Sequence, residues 1–319
     1  MNQILEIADL TKKFPVRKGF WGKTQAYVHA VSGVSLTVNR GEVLGLVGES
    51  GCGKSTIART ILKLIEPDGG RIVFGGMDIT LFKPGEMRPL RREMQIVFQD
   101  PYASLNPRMT VGEAIAEPLI VHRLVPRGER RAHVSRLLQK VGLSADDYTK
   151  YPHEFSGGQR QRIGIARALA LAPKLVIADE PVSALDVSVQ AQIINLLADL
   201  KREMGLSMIF ISHDLRVVEH ISDRILVLYL GKVMEVLPAK KLSQAQHPYT
   251  KSLLASVPVP DPSFKREKVM AKGEIPSPIN PPTGCVFHTR CPIAEERCRR
   301  EIPLLRPVAP GIHVACHLV

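Results

Sequence analysis

The stretch GESGCGKS, residues Gly48 to Ser55, matches the pattern G-x-x-x-x-G-K-[ST]. An apolar segment, Val43 to Val47, precedes it, and a segment with helical spacing begins near Lys54. Glycines in this pattern let backbone N–H groups close around a phosphate, the lysine neutralises phosphate oxygens, and Ser55 can ligate Mg²⁺. A glycine-rich turn with an incidental lysine is the alternative. Because a strand precedes the motif and a helix follows it, the sequence predicts a phosphate-binding loop.

Cys52 lies inside this loop and is set apart from the other four cysteines. We interpret it as a small residue that faces away from the phosphates. The alternative is a reactive thiol, because a helix N-terminus lowers the pKa of a nearby cysteine. The residues expected to contact a bound nucleotide here are Gly48, Glu49, Ser50, Gly51, Cys52, Gly53, Lys54, Ser55 and Thr56.

Length and composition bound the class of protein around this loop. The chain has 319 residues, a formal charge of +12 and a 45% apolar fraction, which excludes a mainly disordered or collagen-like protein. We find no apolar run that could span a membrane and no signal peptide, so we expect a cytoplasmic protein without disulfides. The charge has three interpretations: nucleic-acid binding, attraction to anionic lipid or an acidic partner, or a solvated excess.

Two changes of pattern divide the chain. Up to about Val236 apolar β-rich runs alternate with helical patterns, which predicts an α/β domain with a largely parallel sheet. Between Gln99 and Pro152 apolar residues recur at helical spacing instead. From Lys241 onward the chain holds half of its prolines and four of its five cysteines. We predict an α/β domain over residues 1–240, with a helical subdomain at about 100–165, and a small Pro- and Cys-rich domain over 241–319.

Two carboxylates and a histidine follow other apolar segments. In KLVIADEP, Lys174 to Pro181, a buried strand would deliver Asp179 and Glu180 at its C-terminal edge, where α/β sheets bind ligands. Asp179 suits the Mg²⁺ shell, and Glu180 can polarise an attacking water. His213 follows Met208 to Ile211 and is a candidate γ-phosphate contact. An ordinary strand end and a structural histidine are the alternatives, but a phosphate loop in the same domain favours function.

The segment FSGGQRQRIGIARAL, Phe155 to Leu169, resembles the signature segment of ABC transporter ATPases. Its position after the phosphate loop and before the pair of carboxylates also matches that family. The resemblance implies a P-loop ABC ATPase core with a helical signature subdomain. It also implies that the N-terminus of this helix contacts the γ-phosphate of ATP bound to a second ATPase subunit. Phe155 stands where the family more often has Leu. The implied contacts are Ser156, Gly157, Gly158 and Gln159.

Further elements follow from the same resemblance. Gln99 in IVFQDP resembles the Q-loop glutamine, which touches Mg²⁺ and water, and Ser183 to Asp186 resembles the D-loop. The resemblance therefore implies catalytic roles for Glu180, His213 and Gln99, and a Mg²⁺ shell from Ser55, Gln99 and Asp179. Phe14 is the expected adenine-stacking aromatic; the alternatives are Phe20, Trp21 and Tyr27.

Two C-terminal segments narrow the resemblance. HPYTKSLLASVPVPDP, His247 to Pro262, and GEIPSPINPPTGCVFHTRCP, Gly273 to Pro292, resemble the ATPases of oligopeptide and dipeptide importers, specifically the F-type subunit. The resemblance implies two permease subunits, a second ATPase of the D type, an extracytoplasmic binding protein, and a peripheral position on the cytoplasmic face of the inner membrane. The cofactors it implies are ATP and Mg²⁺.

Other functions remain as alternatives. The same architecture serves importers of nickel, glutathione, opines and oligosaccharides, because the ATPase does not touch the cargo. A soluble ABC ATPase acting on nucleic acid or ribosomes would use the positive charge directly. We expect no nucleic-acid partner, since the tandem domains and long insertions of such proteins are not visible in the sequence.

The four remaining cysteines are Cys285, Cys291, Cys298 and Cys316, separated by five, six and seventeen residues. No C-x-x-C pair occurs among them, which weakens a zinc-ribbon interpretation. In peptide-importer ATPases a cluster of cysteines at these positions is associated with a 4Fe-4S centre, which would cross-link a Pro-rich domain. The alternatives are structural zinc, with His288, His313 or His317 as substitute ligands, and free thiols.

Overall fold

The structure is a computed structural model that describes residues 2–18, 23–256, 271 and 273–319. The strands are β1 (Gln3–Lys18), β2 (Lys23–Asn39), β3 (Val43–Val47), β4 (Gly69–Phe74), β5 (Met77–Asp78), β6 (Met94–Val97), β7 (Leu175–Asp179), β8 (Ser207–Ser212), β9 (Arg224–Tyr229), β10 (Lys232–Pro238), β11 (Arg306–Ala309) and β12 (Ile312–Val314). The helices are α1 (Lys54–Ile61), α2 (Pro84–Leu90), α3 (Pro101–Ser104), α4 (Val111–Val121), α5 (Arg130–Lys140), α6 (Gly157–Leu169), α7 (Val187–Met204), α8 (Leu215–Ile221), α9 (Pro248–Ser256) and α10 (Glu296–Arg300).

The chain forms two compact units. The first unit comprises Met1–Ile4, Val38–Glu42 and Phe82–Ile211, and the second comprises Leu5–Thr37, Val43–Leu81 and Ser212–Val319. Within the described ranges, no helix is both long enough and apolar enough to cross a membrane.

The first unit contains three parallel strands and the predicted helical region. Strand β7 lies between β6 and β8, with Leu175 opposite both Met94 and Ser207. Strands β7 and β8 are buried along their whole length, which matches their continuous apolar sequence, as expected for parallel strands covered on both faces. The helical region runs through α3, α4 and α5 before α6 begins.

Local signals explain where the helices of this unit begin. Thr110 caps α4 by accepting the N–H of Glu113, and the Glu113 carboxylate accepts the N–H of Thr110 in return. The same reciprocal arrangement, a capping box, links Ser156 and Gln159 at the start of α6. Each box satisfies N–H groups that the helix leaves without an internal partner. In α5, Val134 and Leu138 are fully buried, as their spacing predicts.

The second unit contains the phosphate loop and the C-terminal segment. One sheet has the strand order β2-β1-β4-β5. Among the other strands of this unit, β3 pairs in parallel with β9. Strand β9 forms an antiparallel hairpin with β10 through Leu230 and Gly231. Strand β12 pairs with β10 on one side and with the edge strand β11 on the other. The left-handed backbone at both turn residues suits a tight hairpin. Pro307 lies on β11, which is an edge strand, where a missing N–H is tolerated.

The C-terminal segment is therefore joined to the strands of the α/β domain within this unit. Besides the β10–β12 pairing, the backbone N–H of His29 donates to the carbonyl of Pro278 at 2.9 Å. The aromatic side chains of Tyr229, Tyr249 and Phe287 are among the largest fully buried side chains described. The predicted domain boundary at residue 240 stays a prediction, because the two compact units group the chain in a different way.

Candidate functional site

The predicted phosphate loop connects β3 to α1 in the second unit. The ammonium of Lys54 donates to the carbonyls of Gly48 at 2.7 Å and Glu49 at 3.0 Å, and the residue is only 4% exposed. Gly53 stands at the N-cap of α1 without a side chain to cap the first N–H groups. A helix N-terminus without a side-chain cap attracts anions, since its N–H groups and dipole point at them. The loop thus has the geometry expected of a phosphate-binding site.

Gly53 must be glycine for a physical reason. Its φ is +107°, and a Cβ built on it would lie 2.2 Å from the carbonyl oxygen of Ala30. Other residues rarely adopt this φ, and the clash is with backbone that cannot move away cheaply. The conformation of the loop is thus fixed by its own sequence and by the neighbouring strand.

Cys52 is buried beneath the loop. Burial raises the pKa of its thiol above the ordinary value, and the opposing effect of the Lys54 ammonium is smaller. This burial opposes the alternative of a reactive thiol with a lowered pKa, because loss of solvent outweighs the favourable charge. A Cβ on Gly48 would lie 2.8 Å from this sulfur, so the thiol packs under the glycine.

Three other predicted nucleotide contacts fall in the described part of this unit. His213 is exposed in the turn between β8 and α8, next to Asp214, which caps α8 by accepting the N–H groups of Arg216 and Val217. Phe14 is half-buried on β1, with the ammonium of Lys12 at 5.5 Å from its ring centre. Tyr27 is 50% exposed. The other aromatic alternatives, Phe20 and Trp21, lie outside the described residues.

In the first unit, the structure brings Gln99 and Glu180 into contact. The amide nitrogen of Gln99 donates to a carboxylate oxygen of Glu180 at 3.1 Å. Glu180 has a left-handed φ of +47°, which costs on the order of 1–3 kcal/mol for such a residue. Its backbone N–H donates to the carbonyl of Ile211 at 3.0 Å. This hydrogen bond helps to hold the carboxylate just beyond the end of β7, directly after the buried Asp179.

The predicted signature segment begins α6. Ser156 and Gln159 are exposed and form the capping box, while Gly157 is half-buried and Gly158 is buried. A Cβ on Gly158 would lie 2.4 Å from a methyl group of Val189 on α7. The glycine thus allows α6 and α7 to pack closely, a role that the sequence pattern did not reveal.

The sequence also gave no indication of the part played by Arg160. Its buried guanidinium donates to the carbonyl of Pro152 at 2.6 Å and lies 3.8 Å from the ring centre of Tyr102. These contacts fix the segment that leads into the helix.

The four C-terminal cysteines surround a single cavity in the second unit. It is lined by His247, Pro248, Cys285, Phe287, His288, Cys291, Cys298, Cys316, His317 and Leu318. Burial, with a smaller contribution from the neighbouring thiols, raises the pKa of Cys285 to about 11. Burial also raises the pKa values of Cys291 and Cys316. As free thiols these groups are neutral at physiological pH.

The histidines at this cavity differ in their contacts. The Nδ1 atom of His288 lies 2.9 Å from the carbonyl of Cys285, and the Nε2 atom of His317 lies 3.0 Å from the carbonyl of Glu301. His313, the third possible ligand, is on β12 and does not line the cavity. Among the described residues no group of three or more His, Cys, Asp or Glu side chains is placed to hold a single metal ion.

His247 is a buried group with an unsatisfied atom. Its Nδ1 accepts the N–H of Tyr249 at 3.0 Å, whereas its Nε2 has no hydrogen-bond partner within normal distance. Burial lowers the pKa of this imidazole to about 4, and a smaller opposing effect comes from the backbone of Ala315. The ring is thus neutral, and because its Nδ1 accepts a hydrogen bond, its proton is on Nε2.

Sequence reasoning missed the contacts between the C-terminal segment and the phosphate loop. The backbone N–H of Glu49 donates to the hydroxyl of Tyr249 at 3.0 Å. The guanidinium of Arg290 lies 2.8 Å from the carboxylate of the same glutamate. The partners are separated by 200 and 241 positions, so no local pattern could have indicated them.

Comparison with known proteins agrees with these features. Residues 31–183 match the family model described as ABC transporter, and residues 234–298 match that of the oligopeptide/dipeptide transporter C-terminal region. The chain is 54% identical to the probable peptide ABC transporter ATP-binding protein y4tS of Sinorhizobium fredii, over 99% of this chain and 90% of that protein. It is also 54% identical to the oligopeptide transport ATP-binding protein AppF of Bacillus subtilis, over 99% and 97%.

Solved structures agree as well. A dimeric ATP-binding cassette, MJ0796, in a post-hydrolysis state with ADP and phosphate, matches with a TM-score of 0.66 and 30% identity, over 74% of this chain and 98% of that one. The fold and motifs define an ATPase of the ABC transporter class, an enzyme that uses ATP and Mg²⁺. More narrowly, the chain belongs to the ATP-binding proteins of oligopeptide and dipeptide transporters.

Proposed function

We propose that this chain hydrolyses ATP to drive import of di- and oligopeptides. The observation that carries the hydrolytic role is the 3.1 Å hydrogen bond between Gln99 and Glu180. This hydrogen bond orients the Glu180 carboxylate at the end of a buried strand. A group that polarises water must be held in a fixed orientation. The similarity of the C-terminal region to peptide transporters supports the cargo.

The proposed roles divide among the motifs. Lys54 would exchange its contacts with loop carbonyls for contacts with phosphate oxygens, and the N–H groups at the start of α1 would bind the same anion. Ser55, Gln99 and Asp179 would hold Mg²⁺, which when bound neutralises phosphate charge. His213 would contact the γ-phosphate, and Phe14 would stack on adenine. Ser156, Gly157, Gly158 and Gln159 would contact ATP held by a second subunit.

The proposed assembly is that of an importer. Two permease subunits, a second ATPase of the D type and an extracytoplasmic binding protein would complete it, with this chain as the F-type subunit at the cytoplasmic face of the membrane. This composition is supported by relatives that are named as peptide transport ATP-binding proteins and that match this chain over nearly their whole length. Binding assays of the partner binding protein with peptides, nickel, glutathione, opines and oligosaccharides would identify the cargo, and a protein that retains only a non-peptide ligand would contradict peptide import.

The test of hydrolysis is the variant Glu180→Gln in the assembled transporter. Removing the carboxylate should reduce ATP turnover by about 1000-fold, as expected for loss of a general base. The variant should still bind ATP, since the amide keeps the size of the side chain. Glu219→Gln, at an exposed position on α8, is the matched control and should turn over ATP as the parent does. Near-parental turnover in Glu180→Gln would overturn the assigned role.

We also propose that the cysteine cavity holds a 4Fe-4S cluster. Such a cluster takes one thiolate at each iron, so its ligands surround a larger body and need not converge on one atom. The shared position of the four cysteines at one cavity supports this proposal. Bound in this way, the cluster would cross-link the C-terminal segment.

Metal analysis of the full chain, purified without oxygen, tests this proposal. We expect brown protein that contains both iron and acid-labile sulfide. Cys298→Ser should lose most of the iron, whereas Cys52→Ser should keep it, because Cys52 lies in the phosphate loop and not at the cavity. Colourless protein with stoichiometric zinc, or protein without metal, would overturn the assignment.

A further inference from the structure

The backbone and the side chain of Glu49, in the phosphate loop, both bond to the C-terminal segment. Its N–H donates to the Tyr249 hydroxyl at 3.0 Å. Its carboxylate lies 2.8 Å from the Arg290 guanidinium. The two partners come from different parts of that segment, one from α9 and one from the loop before Cys291. They therefore hold Glu49 from two directions.

The ion pair is partly buried. The side chain of Arg290 is 11% exposed and that of Glu49 is 24% exposed, so solvent screens the pair less than it screens an ordinary surface pair. Without Arg290, the carboxylate of Glu49 would lose its ion-pair partner in a loop whose ligand is itself anionic. Repulsion between these charges would weaken binding of the phosphates. Arg290 thus acts on the charge of the loop as well as on its shape.

A buried aromatic cluster fixes both partners. The ring of Tyr249 packs on Tyr229 and Phe287, with centroids 4.7 and 5.3 Å away. Arg290 lies over Tyr229, with its guanidinium carbon 5.9 Å from the ring centre. Side chains held in this way lose little further freedom when they bond to the loop, so the contacts are preorganised. A contact that merely filled space would not need two polar groups aimed at one residue.

We infer that Arg290 and Tyr249 are positioning residues through which the C-terminal segment sets the charge and geometry of the phosphate loop and thereby its affinity for ATP. Arg290 neutralises the carboxylate of Glu49, and Tyr249 holds the backbone of the same residue. Neither residue needs to touch the nucleotide. The inference rests on the proposed binding of ATP by this loop, and the experiment separates the two claims.

The experiment measures the Kd for Mg-ATP of the full chain by calorimetry, with the melting temperature of each variant as a check on folding. Arg290→Gln should raise the Kd by about tenfold, which corresponds to loss of one partly buried charge pair. Arg290→Lys keeps the charge without the planar fork and should raise it by about threefold. The matched control is Arg297→Gln, which removes an exposed ion pair with Glu301 at the same 2.8 Å and should leave the Kd unchanged.

A double-mutant cycle distinguishes a charge effect from a structural one. If Arg290 acts by neutralising Glu49, then Glu49→Gln combined with Arg290→Gln should bind ATP more tightly than Arg290→Gln alone. A double variant that binds no better than the single variant would overturn the inference. A folded Arg290→Gln variant with the parental Kd would also overturn the inference.

Two further variants keep the outcome decisive. If Arg290→Gln does not fold, Tyr249→Phe removes only the hydroxyl, and it should raise the Kd by about threefold. An unchanged Kd in that variant would then overturn the inference. Lys54→Ala tests the loop itself: parental ATP binding in this variant would refute the proposed function, whereas its loss together with an unaffected Arg290→Gln would refute only the positioning role.

Discussion

The phosphate loop and the cysteine cavity belong to the same compact unit, yet they are built in opposite ways. The loop is a contiguous stretch, Gly48 to Ser55, whose shape follows from its own glycines and from the helix that it begins. The cavity is assembled from residues between His247 and Leu318, with Phe287 shared with the aromatic cluster that supports the loop. A contiguous motif carries its geometry in its sequence, whereas a dispersed one acquires it only through the fold.

The largest expected effect tests the local origin of the loop's shape. Gly53→Ala should lower the free energy of unfolding by about 4 kcal/mol, because strain at a φ of +107° adds to a clash with the Ala30 carbonyl. Denaturant titration of the purified chain would measure the loss. ATP binding should be lost with it, since the first N–H groups of α1 would be displaced.

Gly51→Ala in the same loop is the control for this prediction. Gly51 also has a positive φ, +77°, but a Cβ there would meet nothing within 4 Å. Only the backbone strain remains, so the expected loss is about 1 kcal/mol. Equal losses in the two variants would show that the Ala30 carbonyl does not constrain the loop.

The contrast between contiguous and dispersed residues also explains how much of the fold and the site could be predicted from the sequence. The order of strand, loop and helix around Lys54, and the position of two carboxylates at the end of β7, were predicted correctly because each depends on neighbouring residues. Gly158 was predicted only as a nucleotide contact, because its packing against Val189 depends on how two helices meet. The bonds of Arg290 and Tyr249 to Glu49 had no sequence signal at all, since they join positions far apart in the chain.

The second prediction concerns the cavity and its titration. In iron-free protein the pKa of Cys285 is raised from 9.0 to about 11, so the folded state favours the neutral thiol. The resulting stabilisation is complete below pH 9 and is lost as the pH rises from 9 to 11. The free energy of unfolding should fall by about 3 kcal/mol over this interval on account of this thiol. Unfolding titrations with a reductant and a chelator would measure it.

Cys285→Ser provides the comparison, because serine has a similar size and does not titrate in this range. Between pH 9 and pH 11 the unfolding free energy of the parent should fall more than that of this variant. Other groups titrate in both proteins, so their effect cancels in the comparison. Parallel curves would contradict the assignment. In protein that carries the proposed cluster the effect should disappear, because the cysteine is already a thiolate ligand.

The spacing of the four cysteines could not decide among cluster, zinc and free thiols for a related reason. Chain separations of five, six and seventeen residues do not fix the distances between sulfurs. Those distances depend on backbone contacts such as the hydrogen bond from the N–H of Cys285 to the carbonyl of Cys298. The position of His247 at the cavity had no sequence signal either, because this residue is 38 positions or more before the cysteines.

The smallest expected effect concerns coupling between the phosphate loop and the cysteine cavity. Phe287 lines the cavity and also packs against Tyr229 and Tyr249, so it is the shared wall between the cysteines and the support of the loop. Phe287→Leu should lower the free energy of unfolding by about 1.5 kcal/mol and raise the Kd for Mg-ATP by about threefold, since a loosened ring frees the tyrosine that holds Glu49.

Phe74→Leu separates this coupling from a general loss of stability. Phe74 is equally buried, on β4 of the same unit, and it is not part of the aromatic cluster described around Tyr229. It should lose a similar amount of unfolding free energy, measured by denaturant titration, and keep the parental Kd, measured by calorimetry. If both variants weaken ATP binding equally, the effect is one of stability alone. If neither does, the cavity and the loop act separately, and a change of state at the cysteines would not reach the phosphate site through this ring.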